Sequence, residues 1–339
     1  MSFAHLLARR AGVIRSLALV SAAVVLCATA GCSALNGATE PDSTDNSHHL
    51  EKPNITVGVS PLIDAAPFYI AQAKGYFTAE GLHVKVVQAV SGSDTVPLLH
   101  GGHIDVGISN WATVLTSQEK QVDAYSILAD AGQGRSHVII VAVRPDSGIA
   151  KPGDLVGKTV STSTFNDVPE LALQAILQAN GVDISRLHMV KVPHPQTPPA
   201  LANKLVDGAI QVEPYITQAH QQTGTEAVID LFGPGVMHDL PISGWYSLKK
   251  FTTDDPKTAA AFQRALQRAA ADAASEQTVR QILPTYAGID ASTAALVTIP
   301  VFPTALSATR LQRVADLMTT YGQLKGHLDV ASLLFTPQH

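Results

Sequence analysis

Beyond residue 54 the chain alternates short β-branched runs with stretches of helical spacing. Ile55-Thr56-Val57-Gly58-Val59 predicts a strand. Residues 67–77 follow, with Phe68, Ile70, Ala71 and Tyr76 at helical intervals. A strand is predicted over 84–90, part of a helix over 96–99, a strand over 106–109 and a helix over 111–118. Strands at 125–128 and 138–143 close this series. Turn-rich sequence at 145–154 then restarts the pattern: strand 158–161, helix 168–178 ending near Asn180-Gly181, strand 189–192, helix 199–205 and strand 209–212. Glycine at 181 suits the left-handed residue that ends a helix. Residues 242–248 are strand-like, and alanine-rich helices run from Asp254-Asp255-Pro256 to the end. Asp255 before Pro256 reads as a helix start, with a capping carboxylate and proline in the first turn. Alternating strands and helices predict right-handed βαβ units, parallel sheets and the α/β class.

The first 54 residues break this pattern. Arg9, Arg10 and Arg15 precede an uncharged run over 17–30, and Thr29-Ala30-Gly31-Cys32 closes it. A basic start, an apolar middle and small residues at a cut predict a signal peptide over residues 1–31. Its end resembles the lipobox of bacterial lipoproteins, with Cys32 as the lipidated new N-terminus and Thr29 where leucine is usual. The competing reading is an ordinary cleaved leader with an incidental cysteine. Residues 32–54 are polar and turn-rich and predict a flexible tether. His48 and His49 within it read as solvated rather than metal-bound. Arg9-Arg10 lacks the flanking residues of a complete twin-arginine signal, so general secretion is expected.

A cut before Cys32 leaves 339 − 31 = 308 residues and moves the net charge from −5 to 20 − 28 = −8. That length exceeds what one core fills well, so two lobes are expected. The acidic balance, with no basic run after residue 32, tells against nucleic acid as a partner. Both cysteines, Cys27 and Cys32, fall at or before the cut, which excludes disulfide and thiol chemistry from the body. No nucleophile elbow, Walker loop, H-E-x-x-H or G-x-G-x-x-G occurs. His188 and His194 flank one predicted strand, but no third ligand clusters with them in sequence. A binder without cofactor or metal is expected, not an enzyme.

Four segments carry a family resemblance: SPLIDAAPFYIAQAKGYFTAEGLHVKVV from residue 60, GSDTVPLLHGGHIDVGISN from 92, GIAKPGDLVGKTVS from 148 and KLVDGAIQVEPY from 204. In order and spacing they resemble the solute-binding proteins of ABC importers for nitrate, aliphatic sulfonates, taurine and thiamine-precursor pyrimidines. The resemblance covers about residues 55–335. It implies the periplasmic-binding-protein type II fold, with two lobes, each a mainly parallel sheet flanked by helices, and a helical C-terminal extension. It implies lobe 1 at 55–144 plus 243–339 and lobe 2 at 145–242, with solute trapped between them by hinge closure. It also implies a lipid-anchored monomer on the outer face of the cell membrane that delivers solute to permease and ATPase subunits. Two other readings stand beside it. One is a membrane-tethered solute sensor. The other is a pyrimidine-precursor synthase of the same fold, whose cysteine-rich motif this body lacks.

Ligands in such folds collect beyond the carboxyl ends of strands. The loops so placed contribute Ser60 and Asp64, then Ser91-Gly92-Ser93, then Asn110 and Trp111. The second lobe contributes Thr162-Ser163-Thr164 and Glu213, and Tyr246 lies on the returning strand beside Trp245. The serine and threonine clusters suit an oxyanion or plain helix capping equally. Trp111 is expected to wall the cleft and stack on the ligand, the competing reading being a core tryptophan inside the third helix. Glu213 reads either as an acceptor for an amine or as an acid at a helix start. Acids at 64 and 213, with no Arg or Lys in these loops, tilt the ligand toward a neutral or amine-bearing heterocycle.

Overall fold

The computed structural model describes residues 49–121 and 124–337. The expected leader, Cys32 and most of the tether lie outside the described residues. Among the described residues ten strands form: β1 (Asn54–Val59), β2 (His83–Gln88), β3 (Val106–Asn110), β4 (Tyr125–Gln133), β5 (Ile139–Val143), β6 (Thr159–Thr162), β7 (His188–Lys191), β8 (Gly208–Val212), β9 (Glu226–Asp230) and β10 (Pro241–Leu248). They build two five-stranded sheets, ordered β2-β1-β3-β10-β4 and β7-β6-β8-β5-β9, with helices packed on both. The chain passes from the first sheet to the second over 134–138 and returns over 231–240.

Both sheets are mixed, with four strands of each running the same way and one opposed. In the first, β10 runs antiparallel to β3 and β4. In the second, β5 runs antiparallel to β8 and β9. The reason is the crossing itself. A strand that arrives from the other sheet starts at the facing edge, where its neighbours end. The 138–143 run, expected to belong with the N-terminal strands, is therefore the inner strand of the second sheet.

Fully buried aromatic side chains fill the first sheet's outer face. Phe68 stacks on Trp245 with centroids 5.1 Å apart, and Phe77 on Phe262 at 5.5 Å. Burying each such side chain contributes about 2–3 kcal/mol. The helix predicted over 67–77 is interrupted, forming Ala66–Ala73 and Tyr76–Ala79, because Gly75 takes a left-handed φ of 70° between them. The long helix Pro256–Asp272 begins with proline as expected, but the Asp255 side chain makes no capping bond. Glu51 does that work: Lys257 N and Thr258 N each donate to Glu51 Oε2 at 3.1 Å. Leu50 is buried, and Lys52 Nζ pairs with Asp105 Oδ1 at 2.6 Å. Residues 50–54, expected as the end of the tether, are thus fixed to the folded body by burial and charge pairing.

Candidate functional site

Four of the five strands in each sheet point their carboxyl ends at the other sheet, and a cleft lies there. Its empty space, mouth included, is about 730 Å³. Loops following β1, β2 and β3 bring Ser60, Asp64, Ser91, Gly92 and Asn110 to one wall. The second sheet brings Ser163, Thr164 and Asp167 after β6, His194 after β7 and Glu213 after β8. Gly92 is required by contact: a Cβ there would stand 2.8 Å from Ser109 Cα, so only glycine lets this turn lie against β3. The walls meet where Ser93 Oγ and Thr164 Oγ1 lie 3.4 Å apart.

The charged groups of the cleft are acids. Asp64 Oδ2 accepts from Ser243 Oγ at 2.6 Å, while its Oδ1 is buried without a hydrogen-bond partner. Burial pushes the Asp64 carboxyl above its ordinary range. Asp167 caps the helix Val168–Ala179 by accepting from Glu170 N at 2.8 Å, and burial pushes its pKa up to about 8. Glu213 accepts from Thr298 N at 2.9 Å, Thr217 Oγ1 at 3.0 Å and Thr217 N at 3.2 Å, and burial raises it too. His194 stacks on Tyr215, with centroids 6.0 Å apart, and burial lowers its pKa to about 4, so the imidazole is neutral. Among the described residues no Lys or Arg lines the cleft. Leu62, Ile63, Val138, Ile139 and Ile242 supply much of its apolar surface.

The predicted residues Ser60, Asp64, Ser91, Gly92, Asn110, Ser163, Thr164 and Glu213 all line the cleft. Ser93 sits at its rim through the contact to Thr164. Thr162 is buried behind the wall and donates to Thr164 O at 3.1 Å. Trp111 and Tyr246 are elsewhere. Asn110 caps the helix Trp111–Lys120, accepting from Thr113 N at 2.9 Å, and this turn sends the fully buried indole of Trp111 beneath the sheet against Gly244. Tyr246 is buried with its hydroxyl 2.8 Å from Thr95 Oγ1. Both faces of this part of the sheet are covered, so the consecutive side chains Trp245 and Tyr246 of β10 both enter core. Sequence reasoning missed Ser109, Asp167 and Ser243. Asp167 had a readable signal, an Asp just ahead of Val168-Pro169 at a helix start. Ser109 is the buried β3 residue just before Asn110, and Ser243 faces the cleft because β10 pairs with β3, placing it opposite Asn110.

Among the described residues no cluster of three or more His, Cys, Asp or Glu side chains could hold a metal ion. Among them no helix is long and apolar enough to cross a membrane.

Residues 63–278 match the family model described as "NMT1/THI5 like". Over 262 residues the chain is 27% identical to a bicarbonate transport ATP-binding protein, CmpC, of Synechocystis sp., a match covering 70% of this chain and 38% of that one. The chain thus spans well under half the length of that relative. Among solved structures, the fold resembles the alkanesulfonate-binding protein SsuA of Xanthomonas axonopodis bound to MOPS, with a TM-score of 0.69 and 16% identity over 83% of this chain and 98% of that one. It also resembles the periplasmic nitrate-binding protein NrtA of Synechocystis, with a TM-score of 0.68 and 16% identity over 83% of this chain and 86% of that one.

Proposed function

The chain belongs to the NMT1/THI5-like family, and from that premise we propose that it is an exported solute-binding protein that captures a small molecule in the cleft and delivers it to an ABC importer. The observation that carries this reading is the cleft itself, ringed by strand ends and helix starts from two sheets that only two crossings join. The crossings suit a hinge. They pair through Gly134 N and Leu240 O at 2.9 Å, and a Cβ at Gly134 would overlap Phe232. His137 (φ 66°) and Asp239 (φ 58°), one on each crossing, hold left-handed backbone that costs a non-glycine residue about 1 kcal/mol or more. Residues that store strain at both crossings favour a body whose lobes reorient. The lobes of this reading are the two sheets with their helices, separated at 134–138 and 231–240.

In this reading Cys32 is lipidated after removal of residues 1–31, and the polar segment behind it gives the monomer reach beside a permease and its ATPase. Among the described residues no cleft hydroxyl is hydrogen-bonded to the His194 ring, and the role proposed for the cleft is capture without chemistry. Calorimetric titration of the purified protein against nitrate, bicarbonate, alkanesulfonates, taurine and aminopyrimidines tests capture. Binding lost in Gly92→Val places the ligand in the cleft; binding by none of these compounds, or binding indifferent to that change, overturns the reading. Metabolic labelling with a fatty acid tests the anchor, and label that persists in Cys32→Ala removes it.

A further inference from the structure

We propose that the solute this cleft selects is an organic ammonium: a protonated amine on a compact apolar body. The inference rests on the solute-binding reading above and concerns only which chemistry the same cleft prefers. The first ground is charge. Asp64 on the first sheet's wall and Asp167 on the second's face the space, and among the described residues no Lys or Arg lines it; burial alone favours their protonated forms, and a cation beside them restores the carboxylates. An anion held there stays unpaired beside carboxyl groups, whereas a cation finds partners.

The second ground is that one backbone donor at each of three helix starts around the cleft is already taken. Ser91 N donates to Asp94 Oδ2 at 2.9 Å, Thr113 N to Asn110 Oδ1 at 2.9 Å and Glu170 N to Asp167 Oδ1 at 2.8 Å. A helix start attracts an oxyanion through its free N–H groups. Here side chains of the chain itself, Asp94, Asn110 and Asp167, each occupy one such position.

The third ground is the set of buried polar atoms left without partners. Asp64 Oδ1, His194 Nδ1 and Ser109 Oγ have none, and Ser109 and His194 are only 2% and 8% exposed. A carboxylate oxygen and a hydroxyl oxygen accept hydrogen bonds, and so does the imidazole Nδ1 in the tautomer protonated on Nε2. Leaving such atoms unpaired is costly, and an ammonium brings three donors together with the matching charge. The apolar wall of Leu62, Ile63, Val138, Ile139 and Ile242 then receives a hydrocarbon body.

Titration calorimetry on the full-length protein tests the class, using butylammonium and cyclohexylammonium against butanesulfonate, nitrate and bicarbonate. The ammonium probes are expected to bind in preference to the three anions. Asp64→Asn keeps the shape of the side chain and is expected to weaken ammonium binding at least about tenfold. Gly132→Val keeps the carboxyl but crowds it, because a Cβ at 132 stands 3.3 Å from Asp64 Cβ; it is expected to weaken binding likewise. Circular dichroism of both variants separates loss of the site from loss of the fold. Preference for any of the anions overturns the ammonium class and leaves solute capture standing. Unchanged ammonium affinity in the folded variants overturns it too. Silence from all five probes also overturns the class, and capture is then decided separately by the wider panel above.

Discussion

Asp167→Asn isolates the cost of a carboxyl buried at the cleft. Asp167 is 5% exposed and caps the helix Val168–Ala179 through Glu170 N. Burial, helped by the nearby Glu170 charge, raises its pKa from 3.8 to about 8. In the unfolded chain it ionises near its ordinary value of about 3.9. Between about pH 4 and pH 8 the unfolded chain has released this proton while the folded chain keeps it. The folded state binds more protons there, so stability falls as pH rises through the window and levels off above it. A tenfold change in acidity is worth about 1.36 kcal/mol, which bounds the total loss at about 6 kcal/mol. Asparagine caps a helix about as well as aspartate and does not ionise. His194 works in the opposite sense: buried neutral with a pKa of about 4, it costs stability as pH falls from about 6.5 toward 4. That cost is common to both proteins and cancels in their difference. Urea unfolding followed by circular dichroism is therefore expected to show the variant gaining on the native chain as pH rises from about 5 to about 8, by up to about 4 kcal/mol across that range. A stability difference that is flat with pH refutes the argument, because it means that Asp167 is ionised at little cost in the fold.

Two further perturbations probe the frame around the cleft. Gly244→Ala puts a Cβ into the Trp111 ring and within 2.5 Å of Ala129 O. Overpacking of this kind is expected to cost at least about 3 kcal/mol in denaturant unfolding, and a loss under about 1 kcal/mol would show that the indole moves aside freely. Glu51→Ala removes the cap from the helix Pro256–Asp272 and is expected to cost about 1 kcal/mol by the same measurement. No loss would mean that the segment at 50–53 adds nothing to the fold.

The alternation of strands and helices was legible because each strand is short, β-branched and bounded by turn residues. What sequence patterning did not reveal was which sheet a strand joins. The 138–143 run looks like its predecessors, and only pairing with β8 and β9 assigns it to the second sheet. Strand β9 went unread because it is an edge strand whose Glu226 and Ala227 are exposed, so it lacks a buried stripe. At the cleft, the rule that loops after strands meet the ligand found most of the polar wall. It failed for Trp111, because the rule locates a residue along the chain and not the direction its side chain takes once Asn110 has started a helix. It gave no access to Ser243, whose place depends on a partner strand more than a hundred residues away. Glu51 was hidden for a similar reason: its role is set by a helix about two hundred residues further on.

The strand order also dictates a sequence of events during synthesis. The second sheet is encoded by one uninterrupted stretch, β5 to β9, and all its strands exist once residue 230 has been made. The first sheet is different, because β10 lies between β3 and β4 and is the strand that joins them. Until residue 248 emerges, β4 has no neighbour in its own sheet. The inserted half can therefore complete itself first, while the half that encloses it must wait, with an open edge on β3, for the chain to come back.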